Sequence, residues 1–157
     1  MRKKIAVIGS TGSIGKNLLE IVEENKKKFN VVMLSADKDH ITLLKQAKKF
    51  NVRYIIIKDF ISFKILQKKL SKSKIKVFNS FSILNRVFKK KIDYVMSAIS
   101  GIDGLDPTLK FIKFTKTIAI ANKESIVCGW RIISRELKKN NTKFIPVDSE
   151  HFSLWFG

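Results

Sequence analysis

The segment Gly9-Ser10-Thr11-Gly12-Ser13-Ile14-Gly15 follows directly on the apolar run Ile5-Ala6-Val7-Ile8 and leads into a helical pattern. Few chain segments constrain a fold more. A buried strand delivers the chain to a turn, and glycines there let the backbone take angles that a side chain forbids. The N–H groups opening the next helix then supply donors and partial positive charge, so phosphate is the natural ligand. The spacing is Gly-x-x-Gly-x-x-Gly rather than the commoner Gly-x-Gly-x-x-Gly of dinucleotide sites. The plainer alternative is a tight strand-to-helix turn with Ser13 capping the helix. One glycine would serve a plain turn, and three favour the phosphate loop.

Apolar runs of strand length recur at Ile5–Ile8, Val31–Leu34, Tyr54–Ile57, Ile75–Phe78, Tyr94–Met96, Ile118–Ala121 and Phe144–Val147. Stretches with helical spacing separate most of them: Asn17 to Phe29, His40 to Phe50, Ile61 to Leu70, and further helices starting near Ser80, Asp106-Pro107 and Asn122. In the first of these, Leu18, Leu19, Ile21, Val22 and Phe29 fall near one face. Strands that read as continuous apolar runs are buried on both faces. The pattern therefore predicts an α/β fold, a Rossmann-like, doubly wound, mostly parallel sheet with helices on both faces. Residues 1–145 are expected to form this domain, with 146–157 the start of a catalytic domain.

Composition narrows the class. With 157 residues and 45% hydrophobic content the chain can bury one sizeable core. No apolar stretch is long enough to span a bilayer, and the run after Lys4 ends too early for a secretory signal. A cytoplasmic protein with no membrane partner is expected. The single cysteine, Cys128, excludes an internal disulfide and a multi-cysteine zinc site, and beside Ile126 and Val127 it is expected to be a buried small hydrophobe. A semialdehyde dehydrogenase would need a catalytic cysteine, and a position inside a helix suits that role poorly. The net charge of +19 raises nucleic-acid binding as an alternative. The lysines are scattered through short runs without an RNA-binding or zinc signature, so solvated helix surface is expected and no nucleic-acid partner. A non-catalytic dinucleotide-binding domain is the other alternative.

Ligands of open α/β sheets sit at the carboxyl ends of the strands. The segment Ala36-Asp37-Lys38-Asp39 offers acids, which favour NAD by accepting from ribose hydroxyls, and a lysine, which can neutralise the extra phosphate of NADP. Asp39 serves equally well as a helix N-cap. Asp148, Ser149, Glu150 and His151 lie just past the last strand. Two carboxylates in one short turn suit Mg²⁺ or Mn²⁺, and helix capping by Asp148 or Ser149 is the plainer reading. Lys123 stands where a strand gives way to a helix.

Taken together, Gly9–Gly15, Ala121-Asn122-Lys123-Glu124-Ser125-Ile126-Val127 and Pro146-Val147-Asp148-Ser149-Glu150-His151, in this order and spacing, resemble the 1-deoxy-D-xylulose 5-phosphate reductoisomerases. The segment Ala98 to Leu109 resembles the loop and helix between those motifs. The resemblance implies an NADPH-dependent oxidoreductase of the non-mevalonate isoprenoid pathway, acting on a small sugar-phosphate substrate. It would rearrange 1-deoxy-D-xylulose 5-phosphate and reduce the product to 2-C-methyl-D-erythritol 4-phosphate. By motif position, Thr11, Gly12, Ser13 and Ile14 would hold cofactor phosphates, and Ala36, Asp37, Lys38 and Asp39 the adenosine end. Asn122 and Glu124 would face the nicotinamide. Lys123, Ser149 and Glu150 would contact substrate, with Lys123 and Glu150 catalytic, and Asp148 and Glu150 would bind the divalent metal.

Two departures stand out. Where the family typically has Ala-Gly-Lys-Asn, this chain has Ala36-Asp37-Lys38-Asp39, and the added negative charge opposes a 2′-phosphate. NADPH preference is still expected, because Lys38 remains. After His151 the chain is bulkier than the family pattern, so no role passes to those positions. Family members continue past the equivalent of Gly157 with further metal and phosphate ligands. The chain is thus expected to be an N-terminal, cofactor-binding piece with little or no turnover alone, and a homodimer when full length.

Overall fold

The computed structural model describes residues 1–147. Its single sheet has the strand order β4-β3-β2-β1-β5-β6-β7, and every neighbouring pair is parallel. The strands are β1 (Lys3–Ile8), β2 (Phe29–Ala36), β3 (Tyr54–Ile57), β4 (Lys76–Phe78), β5 (Ile92–Ser97), β6 (Thr115–Ile120) and β7 (Lys143–Pro146). The helices are α1 (Ser13–Glu24), α2 (His40–Lys49), α3 (Phe60–Lys69), α4 (Leu84–Val87), α5 (Leu105–Ile112) and α6 (Lys123–Lys139). Turns of 3₁₀ helix, Phe81–Ile83 and Ile102–Gly104, precede α4 and α5.

Alternation along the central strands sends side chains into two cores. Ile5 and Val7 pack with Leu19 and Val22 of α1, Leu43 and Ala47 of α2 and Leu66 of α3. Ala6 and Ile8, one residue out of step, pack with Phe111 and Ile112 of α5 and Ile133 and Leu137 of α6. Both faces of β1 are thereby sealed, which is why its sequence is an unbroken apolar run. The doubly wound α/β fold read from the sequence is the one observed.

Differences from the sequence reading have local causes. The first helix starts earlier and stops at Glu24, and Phe29 opens β2 instead of ending the helix, because the chain turns over residues 25–28. Ile21 is exposed, since the buried stripe of α1 runs through Gly15, Leu19 and Val22. Cys128 is exposed, not buried. The inward stripe of α6 passes through Ser125, Gly129, Ile133 and Leu137, and a residue adjacent to Gly129 points about 100° away from it. Pro146 pairs with Ile120 as the end of β7, and the Val147 N–H donates to the Ile120 carbonyl at 3.0 Å. Among the described residues, no helix is long and apolar enough to cross a membrane.

Candidate dinucleotide site

The strand order reverses direction between β2-β1 and β1-β5, so the chain leaves the carboxyl ends of β1 and β5 toward opposite faces. This switch point opens a crevice where ligands of such folds bind. A cleft of about 750 Å³ lies there, walled by Gly9, Thr11 and Gly12 on one side and by Ile99, Ser100 and Ile102 on the other.

The glycine loop is shaped by backbone contact. Gly9 has φ of 81°, and a Cβ on it would lie 2.6 Å from the Ala98 carbonyl oxygen. A Cβ on Gly15 would lie 2.7 Å from the Ser10 Cα, so α1 can begin this close to the loop only with glycine there. The N-cap of α1 is Gly12, and no side chain caps the helix. Ser13 is therefore not a cap: it is the first residue inside the helix. The opening N–H groups of α1 keep their donors for an incoming anion, whereas α2, α3 and α6 each have theirs taken by Asp39, Asp59 and Asn122.

Behind the loop sits a buried polar network that sequence reasoning missed. The Gly9 and Ser10 N–H groups donate to the Ser35 carbonyl at 3.1 and 2.8 Å, and Gly9 N–H also reaches the Ser35 hydroxyl at 3.1 Å. Gln46 of α2 bonds Ser10 through both its backbone and its hydroxyl. A glutamine on the buried stripe with Leu43 and Ala47 was the available signal.

The remaining sequence-selected residues divide clearly. Ala36 is buried and, with Asp37, lines the cleft beyond the end of β2. Lys38 is exposed, and its carbonyl accepts from the Ser62 hydroxyl at 3.0 Å. Asp39 caps α2: its carboxylate accepts from Thr42 N–H at 2.9 Å, and that bond holds its pKa below the ordinary carboxylate value. The capping alternative for Asp39 is thus what the geometry displays. Ser13 and Ile14 lie exposed in the first turn of α1, close to Gly12.

Asn122 is buried, at 3% exposure, and its side chain faces inward. Its Oδ1 accepts from Ser125 N–H at 2.8 Å, capping α6, while its Nδ2 donates to the carbonyls of Ile99 and Gly101. A Cβ on Gly104 would lie 2.5 Å from that Nδ2, so this corner also requires glycine. Asn122 thereby ties the far wall of the cleft to the start of α6. Lys123 and Glu124, exposed in the first turn of α6, follow it. Among the described residues no group of three or more His, Cys, Asp and Glu could hold a metal ion. Asp148, Ser149, Glu150 and His151 lie outside the described residues.

The parallel sheet, the switch-point cleft and the uncapped helix behind a glycine loop define a Rossmann-like, doubly wound α/β domain of the class that takes dinucleotides. The sequence model of the 1-deoxy-D-xylulose 5-phosphate reductoisomerase family matches residues 5–129. A reductoisomerase of Pelagibacter ubique (strain HTCC1062) is 57% identical over 155 residues, covering 98% of this chain and 40% of that relative. Among solved structures, the reductoisomerase from Zymomonas mobilis in complex with NADPH superimposes with a TM-score of 0.87 at 32% identity, over 96% of this chain and 40% of that one. A reductoisomerase in complex with NADPH, fosmidomycin and magnesium gives a TM-score of 0.86 at 28% identity, over 95% and 37%. The chain belongs to the 1-deoxy-D-xylulose 5-phosphate reductoisomerase family. It spans about 40% of the length of the curated relatives it matches.

Proposed function

We propose that the chain is the NADPH-binding part of an enzyme that converts 1-deoxy-D-xylulose 5-phosphate to 2-C-methyl-D-erythritol 4-phosphate. The observation that carries this reading is the glycine loop at the switch-point cleft in a chain of this family. The loop fits a dinucleotide pyrophosphate on its own terms. It brings bare backbone to the cleft floor and leaves the opening donors of α1 without a side-chain cap.

In this reading Thr11, Gly12, Ser13 and Ile14 hold the cofactor phosphates, and Ala36 to Asp39 flank the adenosine. Asn122 and Glu124 lie toward the nicotinamide, with the Asn122 side chain bracing the loop over residues 99–101. Lys123 and Ser149 meet the substrate, Lys123 adding positive charge where an oxyanion develops. Bound NADPH supplies hydride. A divalent ion, Mg²⁺ or Mn²⁺, supplies Lewis acidity, and Asp148 and Glu150 offer the hard oxygen donors it prefers. The chain alone binds cofactor with little or no turnover, and the longer protein is a cytoplasmic homodimer.

Two measurements test the reading. Titration with NADPH, followed by fluorescence, should saturate at a single site. A steady-state assay of the 157-residue chain with substrate and Mg²⁺ should give negligible turnover. Family-like turnover would sink the claim of inactivity, and absence of NADPH binding would sink the assignment. The net charge of +19 favours a nucleic-acid reading as the second choice. Retention on DNA that falls steeply with salt, in a chain that ignores NADPH, would support it.

A further inference from the structure

Strands β2 and β3 run in parallel with Ala36 beside Ile57, so Asp37 and Lys58 leave the sheet as neighbours. Two backbone bonds fix that adjacency: Lys58 N–H donates to the Ala36 carbonyl at 3.2 Å and Asp59 N–H to the Asp37 carbonyl at 2.9 Å. Both Asp37 and Lys58 line the same cleft as Gly9 and Gly12. Lys58 is exposed, and among the described residues no carboxylate lies within ion-pair distance of its ammonium.

Three acids crowd this corner, and two are spent on helix caps. The Asp39 carboxylate accepts from Thr42 N–H at 2.9 Å and the Asp59 carboxylate from Ser62 N–H at 2.8 Å. Of the three, Asp37 caps no helix and lines the cleft. A carboxylate at the end of the second strand repels a 2′-phosphate, while a cation there accommodates it. Lys38 supplies one cation from the same loop, and Lys58 reaches the cleft from the adjacent strand on a flexible four-carbon stem.

We propose that Lys58 is a specificity-determining residue, its ammonium pairing with the 2′-phosphate that separates NADPH from NADH and offsetting the charge of Asp37. The proposal rests on the reading that this cleft takes a dinucleotide. It adds the end of β3 to the cofactor-selecting wall, beside Lys38 of the Ala36–Asp39 segment. An exposed charge pair of this kind is worth up to about fivefold in affinity.

The test compares equilibrium binding of NADPH and NADH to the 157-residue chain and to its Lys58→Met and Lys58→Arg variants. Lys58→Met should weaken NADPH about threefold to fivefold and leave NADH unchanged, while Lys58→Arg keeps NADPH affinity. Unchanged NADPH affinity in Lys58→Met would overturn the proposal, as would equal weakening of both cofactors. Failure of the unsubstituted chain to bind either cofactor would overturn the dinucleotide reading and the proposal with it. That outcome is distinguishable because it appears before any substitution is made.

Discussion

Gln46 and Ser10 exchange two hydrogen bonds: the Gln46 Nε2 donates to the Ser10 carbonyl at 2.8 Å, and the Ser10 hydroxyl donates to Gln46 Oε1 at 2.8 Å. Both residues are buried, at 9% and 0% exposure. The pair fastens the phosphate loop to α2, whose N-terminus follows directly on the segment assigned to adenosine. Removing a buried partner costs about 1–3 kcal/mol, because the group left behind keeps its desolvation penalty. Gln46→Leu should lower unfolding free energy by about that amount in urea titration and loosen NADPH binding. Gln46→Glu should be at least as damaging at neutral pH, since a carboxylate oxygen then opposes the Ser10 carbonyl. Two variants as stable as the parent would show that the network does not hold the loop.

Asn122 carries a comparable burden on the other wall. Its side chain fills one acceptor and two donor roles at once, on Ser125, Ile99 and Gly101. Asn122→Ala should cost about 2–3 kcal/mol, combining a lost cap with two carbonyls deprived of a donor. Asn122→Asp keeps the cap and loses both donors. Limited proteolysis within residues 98–104 should therefore accelerate in both variants. If Asn122→Asp resists cleavage like the parent, the cap rather than the loop tether is the working part.

Much of this was legible in the sequence because the relevant signals are local. Strand runs such as Ile5–Ile8 advertise burial on both faces, and the spacing of Gly9, Gly12 and Gly15 announces a turn that backbone must approach. Contacts between distant segments were not legible. Nothing near Gln46 says that residue 10 will lie against it, and nothing near Lys58 says that β3 ends beside β2. Cys128 was misread for a related reason: Ile126 and Val127 suggest an apolar neighbourhood, but the helix phase is set by Gly129 and Ile133. Asp39 read two ways because an acid before a helix is both a good cap and a good ribose partner. Only the position of Thr42 N–H decides which oxygen is engaged.

Acid should destabilise the fold with a calculable sign. The Asp93 carboxylate accepts from Lys116 Nζ at 2.8 Å and from Lys4 N–H at 2.9 Å, stitching β5 to β6 and β1. The Lys116 bond first, then the Lys4 bond, holds its pKa below the ordinary value. Hydrogen bonds from Thr42 and Ser62 do the same for Asp39 and Asp59. A folded-state pKa below the unfolded one means the unfolded chain binds the extra protons, so the stabilisation is present above about pH 4 and lost as pH falls through the folded values. The Asp93 share is screened by solvent and amounts to a few tenths of a kcal/mol. Urea midpoints should fall between about pH 5 and 3, and Asp93→Asn should flatten that slope. An unchanged slope in Asp93→Asn would remove Asp93 from the account.

The two glycines flanking the start of α1 should separate folding from binding. Replacing glycine by alanine inside a helix ordinarily gains about 1 kcal/mol. At Gly15 the sign should reverse, because a Cβ would meet the Ser10 Cα at 2.7 Å and the Gly9 carbonyl, both backbone with nowhere to retreat. Gly15→Ala should therefore melt at lower temperature than the parent. At Gly12 the nearest atom to a Cβ is the Gly9 carbonyl oxygen at 3.5 Å, an ordinary contact, and φ is −75°. Gly12→Ala should fold with parental stability. Gly12 also lines the cleft, so the added methyl would stand where the pyrophosphate must approach the backbone. Melting curves and NADPH titrations on the same two variants then give opposite patterns, with Gly15→Ala losing stability and Gly12→Ala losing affinity alone. Undiminished NADPH affinity in Gly12→Ala would place the cofactor phosphates somewhere other than this loop.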